Sequence, residues 1–116
     1  MFEKIFTKIQ EKNELVDVIG IWGKDGLELE KKNFKNGVDQ ELDMTGAQIA
    51  EIMSKINELN FDHDKSYFNL EHGDSSIFIL SLTSDYFIIV LYEKGLILGK
   101  LIFYLKLYWQ DMLSAL

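Results

Sequence analysis

Two neighbouring runs, "SIFILSL" (Ser76 to Leu82) and "YFIIVLY" (Tyr86 to Tyr92), are apolar at consecutive positions and separated only by "TSD". That gap is short enough for a hairpin, so the runs are expected to pair antiparallel. A half-exposed antiparallel strand alternates apolar and polar side chains, and these two do not. They read as central strands covered by helices on both faces, which confines the chain to a layered α/β arrangement.

The remaining segments supply the edges and the cover. "SYFNLE" precedes the pair across "HGDS", giving a three-stranded meander. Near the start, Phe2, Ile5, Phe6 and Ile9 recur at helical spacing, which predicts a helix from about 2 to 12. "NELVDVIGIWG" is then rich in β-branched and aromatic residues, predicting a strand from about 15 to 23. "LELEKK" returns across Lys24-Asp25-Gly26, where glycine takes positive φ without a Cβ clash. In that returning strand Leu27 and Leu29 are expected to face the core, with Glu28 and Glu30 in water.

Polar "NFKNGVDQELD" connects to a helix-start signal. Thr45 with Gln48 fits a capping box, and Asp43 is the other N-cap candidate. Ile49, Ile52, Met53, Ile56 and Leu59 form an apolar stripe to about residue 60. After the polar turn "NFDHDK" and the meander, "EKGLILGKLIFYLKLYWQDMLSAL" reads as one closing helix, with Leu101, Leu105, Tyr108, Trp109, Met112, Leu113 and Leu116 on one face. Phe103 and Leu107 fall inside its polar arc. The first helix is the simplest cover for them, and a partner protein is the alternative. The predicted order is helix, two strands, helix, three strands, helix, as one domain over residues 1–116 with three layers, α-β-α.

Composition narrows the function. The chain has 116 residues and a formal charge of −7, from 19 acidic and 12 basic side chains. Every basic one is lysine, and arginine, proline and cysteine are absent. An acidic chain with scattered lysines repels a phosphate backbone, so nucleic acid is not an expected partner. Lack of cysteine removes disulfides, zinc knuckles and thiol nucleophiles and suits a reducing cytosol. No signal-like run opens the chain, and charges interrupt its most apolar region, Tyr86 to Trp109. A spanning segment needs about 20 predominantly apolar residues, so the expectation is a soluble, cytoplasmic protein with no membrane insertion.

Few residues suggest chemistry. Asp62, His63 and Asp64 are metal-ligand types, but adjacent side chains seldom converge on one ion, and a solvated turn explains them. His72 with Asp74 has acid-base character without a nucleophile or orienting group nearby in sequence, and a hairpin turn explains "HGDS". Neither "GKDG" nor "GLILGK" fits the phosphate-loop pattern. No enzyme activity, metal or cofactor is expected. The middle helix offers something else. Gly46, Ala50 and Ser54 are spaced by four, so small side chains share one face beside the apolar stripe. Such a face admits close approach of another helix backbone; packing against the protein's own sheet is the alternative.

"VIGIWGKDGLELE" as opening hairpin, "TGAQIAEIMSKINEL" as middle helix, and "YFIIVLYEKGLILGKLIFYL" as last strand running into the closing helix together resemble the Roadblock family. That family is named for a dynein light chain and includes bacterial and archaeal regulators of small Ras-like GTPases. Longin and profilin-like domains share similar element sets. The resemblance covers nearly the whole chain and implies a mainly antiparallel five-stranded sheet in the order α-β-β-α-β-β-β-α. It further implies a non-catalytic homodimer in which middle helices pack together and edge strands join.

On this chain that puts Gly46, Ala50, Met53, Ser54 and Asn57 at the subunit interface, with Tyr67 and Asn69 on the joining strand. Trp22, if it faces out, is a candidate partner contact, as are Phe103 and Leu107. The implied partner is a small Ras-like GTPase. Many prokaryotic members carry an arginine early in the last helix, near Ile102 or Phe103, and this chain has none. Lysine lacks the planar guanidinium fork, so any effect on GTP hydrolysis would act through the GTPase's own switch loops. An adaptor scaffold that binds no GTPase, and a small-ligand sensor using Asn69 and Ser81, are the other readings.

Overall fold

Residues 1–35, 51 and 67–116 are described in a computed structural model. Among them the two non-alternating runs form β4 (Ser75–Ser81) and β5 (Tyr86–Glu93), paired antiparallel from Ser75 opposite Glu93 to Ser81 opposite Phe87. β1 (Val16–Gly23) lies on the other side of β5, while β2 (Glu28–Asn33) and β3 (Tyr67–His72) are the edges. The spatial order is β2-β1-β5-β4-β3, with every neighbouring pair antiparallel. The middle helix predicted from Thr45 to about residue 60 lies outside the described residues.

Three described helices, α1 (Glu3–Lys12), α2 (Leu98–Leu107) and α3 (Trp109–Ala115), share one face of the sheet. There Phe2, Phe6, Ile9, Leu101, Leu105 and Met112 pack with Ile19, Ile21, Ile88 and Val90, all fully buried. Withdrawing each such side chain from water stabilises the fold by roughly 1.5–3 kcal/mol. On the opposite face Val18, Trp22, Ile79, Phe87 and Ile89 form a second buried cluster. Both faces of the central strands are therefore dry, which is why their sequences need not alternate. A bulge between Val16 and Val18 keeps Val16 in the helix-side core and sets Asp17 aside at the sheet end.

The first hairpin forms as expected. Gly26 has φ 88°, its N–H donates to the Gly23 carbonyl at 3.0 Å, and the Asp25 carboxylate accepts from the Leu27 N–H at 3.0 Å. Its facing is opposite to expectation. Leu27 is 70% exposed and Leu29 45%, whereas Glu30 lies under the start of α1. Glu30 accepts from the Phe2 N–H at 2.8 Å and from the N-terminal ammonium at 3.4 Å. A helix start carries unsatisfied N–H groups and partial positive charge, so a carboxylate serves that position better than leucine.

Two further expectations about the helices are corrected. The closing helix is interrupted at Tyr108 (φ −97°, ψ 11°), although Tyr108 N–H still donates to Tyr104 and Met112 N–H to Tyr108. And α1 does not cover Phe103 and Leu107. Its stripe is already used on the sheet, with Phe2 and Phe6 stacked at 5.9 Å between ring centroids and both fully buried. α1 therefore lies beside α2 in one layer, and the outer face of α2 keeps its apolar side chains in solvent.

Candidate functional site

The sheet's two edges differ in chemistry. β2 reads Glu-Leu-Glu-Lys-Lys-Asn, and its charges are engaged: Lys32 Nζ lies 2.6 Å from Glu3 Oε1 and Lys31 Nζ 3.5 Å from Glu28 Oε1. Charged side chains are a standard means of blunting an edge against further strands. β3 reads Tyr-Phe-Asn-Leu-Glu-His, with neither lysine nor proline. Tyr67 lies on the helix side, 5.4 Å from the Phe78 ring, yet is 56% exposed. Phe68 packs against the second cluster on the other side, and Leu70 is 45% exposed. This edge thus offers exposed apolar side chains beside a rim that no other described strand pairs with.

Asn69 is held from within the sheet. Its Oδ1 accepts a 2.6 Å hydrogen bond from the Tyr92 hydroxyl, and Tyr92 is buried. Ser81 Oγ donates to the Thr83 carbonyl at 3.4 Å, inside a turn where Thr83 Oγ1 accepts from the Asp85 and Tyr86 N–H groups. Both polar groups suggested for a ligand pocket are thus used locally. Gly46, Ala50, Met53, Ser54 and Asn57 lie outside the described residues, as do Asp62, His63 and Asp64. Among the described residues no group of three or more His, Asp or Glu is placed to hold a metal ion.

Trp22 is not a surface contact. It is 2% exposed and packs with Val18, Phe87 and Ile89. Its ring lies over Gly20, whose missing Cβ leaves the room: a methyl there would come within 2.3 Å of Trp22 Cζ3. The glycine two residues earlier on the same strand face was the signal for this inward packing.

The outer face of α2 is open. Phe103 is 59% exposed and Leu107 57%, one turn apart, and Ile97 at the helix entry is 69% exposed. The Phe103 ring stands edge-on to Tyr104 at 5.2 Å. Between the end of α1 and the start of α2 runs a cleft of about 390 Å³ lined in part by Lys12, Ile97 and Lys100. At one end of the sheet, Asp17, Lys35 and Glu93 form a small charged group, with Lys35 hydrogen-bonded to Glu93. Burial, and then the Glu93 charge, push the Asp17 carboxyl above its ordinary value, while Glu93 and Asp17 raise Lys35.

No family model matches this chain, and no curated protein does. Solved structures do. A Roadblock/LC7 domain from Streptomyces avermitilis superposes with a TM-score of 0.77 at 11% identity, over 97% of this chain and 94% of that one. MglC from Myxococcus xanthus gives 0.75 at 14% identity, covering 99% and 98%. Myxococcus xanthus MglB gives 0.74 at 14% identity, again covering 99% and 98%. At such low identity the likeness speaks for architecture and not for partners. Strand order, helix placement and these superpositions over almost the full length agree that the chain has the Roadblock/LC7 fold.

Proposed function

We propose that this protein is a non-catalytic, homodimeric interaction module that binds a small Ras-like GTPase and regulates or scaffolds it in the cytoplasm. The observation that carries the pairing is the contrast between edges: β2 is blunted by charge, while β3 exposes Tyr67 and Leu70 without a lysine or proline. In this reading two β3 edges join, and Gly46, Ala50, Met53, Ser54 and Asn57 of the middle segment pack against the same residues of the second copy. The GTPase assignment is supported by the Roadblock/LC7 fold and by its likeness to MglB and MglC.

Light scattering tests the pairing against the 13.5 kDa chain mass. Leu70→Lys puts a charge at an already exposed position, so a folded monomer is expected, and Ala50→Glu should give the same result. A Leu70→Lys dimer indistinguishable from wild type would refute β3 joining. For the partner, GTP turnover by the cognate GTPase is followed across a titration with this protein. Unchanged turnover without co-elution overturns the GTPase assignment and leaves an adaptor scaffold.

A further inference from the structure

We infer that the α1–α2 face is a docking surface for an anionic lipid bilayer. Charge on this molecule is segregated. α1 carries three lysines against two glutamates and α2 two lysines against no acid, a balance of +3 within a chain whose total is −7. Sheet-side lysines 31, 32 and 35 are paired with Glu28, Glu3 and Glu93. Lys4, Lys8, Lys12, Lys100 and Lys106 are all exposed, and no described carboxylate lies within ion-pair distance of them.

Lys8, Lys12, Lys100 and Lys106 stand beside the apolar residues. Lys8 Nζ lies 5.9 Å from the Tyr108 ring centroid, so this side of α1 faces α2, while Glu3 is turned away to Lys32. Lys12 and Lys100 both line the cleft beside Ile97, together with Glu11 and Glu14. Lys100 and Lys106 bracket Phe103 along α2. The arrangement is a row of protruding apolar side chains rimmed by flexible cations.

The shape selects the occupant. A partner helix is held in an apolar groove that receives its anchors. Here the anchors, Phe103 and Leu107, stand outward from the crest of α2. A bilayer accepts protruding aromatic and aliphatic side chains at its headgroup boundary while lysines reach the anionic headgroups. The remaining negative charge of the protein is screened beyond a Debye length of about 8–10 Å. Two copies joined antiparallel through β3 are related by an axis normal to the sheet, which leaves both α1–α2 faces on one side; this doubling rests on the pairing proposed above.

The test is co-sedimentation of the full chain with vesicles of phosphatidylcholine alone and with about 30 mol % phosphatidylserine. Binding to the anionic vesicles is expected to exceed that to neutral ones at least about tenfold, and to fall steeply between about 50 and about 300 mM salt. Lys100→Glu with Lys106→Glu, and separately Phe103→Ser with Leu107→Ser, should each lower it about tenfold while leaving thermal melting unchanged. Equal partition onto both vesicles, or none onto either, overturns the proposal. So does binding to polyglutamate without binding to vesicles, which assigns the face to an acidic protein. Light scattering on the same samples separates the readings: a monomer that binds anionic vesicles overturns only the pairing, and a dimer that ignores them overturns only the lipid surface.

Discussion

Gly20→Ala gives a sharp test of how the second face of the sheet is packed. In most strand interiors alanine is favoured over glycine by about 0.5–1 kcal/mol, so the substitution would ordinarily stabilise. Here the new Cβ would lie 2.3 Å from Trp22 Cζ3, 2.5 Å from Cη2 and 2.9 Å from Lys31 Cβ. Carbon atoms in contact sit about 3.5–4.0 Å apart, so the ring must move by more than an ångström. Trp22 is 2% exposed and confined by Phe87 and Ile89, and has no solvent side to move into. Overpacking of this kind costs about 1–3 kcal/mol, so the net expectation is a loss of about 1–2 kcal/mol.

A double-mutant cycle isolates the cause. Urea unfolding followed by far-ultraviolet circular dichroism would be run on wild type, Gly20→Ala, Trp22→Leu and the double variant. In the Trp22→Leu background the clashing ring atoms are gone and only the 2.9 Å approach to Lys31 Cβ remains, so Gly20→Ala should lose less than in wild type, a coupling of about 1 kcal/mol or more. If Gly20→Ala is as stable as wild type, or loses the same amount in both backgrounds, the inward packing of Trp22 over Gly20 is wrong.

Other perturbations follow from the same packing. Phe103→Ser with Leu107→Ser should change stability by less than about 0.5 kcal/mol because both are exposed, whereas Phe6→Ala, in the helix-side core, should cost about 3–5 kcal/mol in the same urea assay. Tyr92→Phe removes the hydroxyl that donates to Asn69 and should cost about 1 kcal/mol. Asp17→Asn should raise the melting temperature at neutral pH, since burial and Glu93 both disfavour the aspartate charge. A carboxyl whose folded pKa is raised contributes most favourably below its unfolded pKa, near 3.9, and loses that contribution as pH rises through the folded value. The advantage of Asp17→Asn should therefore vanish in acid; an advantage unchanged at low pH would contradict the assignment.

How much of this was legible beforehand depends on which physical signal each residue carries. The strands were readable because burial on both faces removes alternation, and "SIFILSL" and "YFIIVLY" carry that mark in themselves. The Lys24-Asp25-Gly26 turn was readable because its chemistry is local. The facing of β2 was not. Leu27 and Leu29 look like core residues until α1 is set across the sheet and requires an acceptor at Glu30. The facing of Trp22 was left open because its direction depends on the gap at Gly20, which only cross-strand packing makes visible. The candidate surface divides in the same way: Phe103 and Leu107 were found as apolar residues in a polar arc, but their exposure depended on whether α1 lay over α2 or beside it.

The sequence by itself determined the five strands, the first helix, the Lys24-Asp25-Gly26 turn, the absence of arginine and cysteine, and the need for cover on both faces of the central strands. These follow from periodicity and side-chain chemistry within short stretches. Only the tertiary structure decided which edge is blunted and which is open, that Trp22 points inward, and that Phe103 and Leu107 stay exposed on the helix that carries Lys100 and Lys106. Those outcomes depend on residues far apart in the chain competing for the same faces of one sheet, and no local pattern records which of them wins.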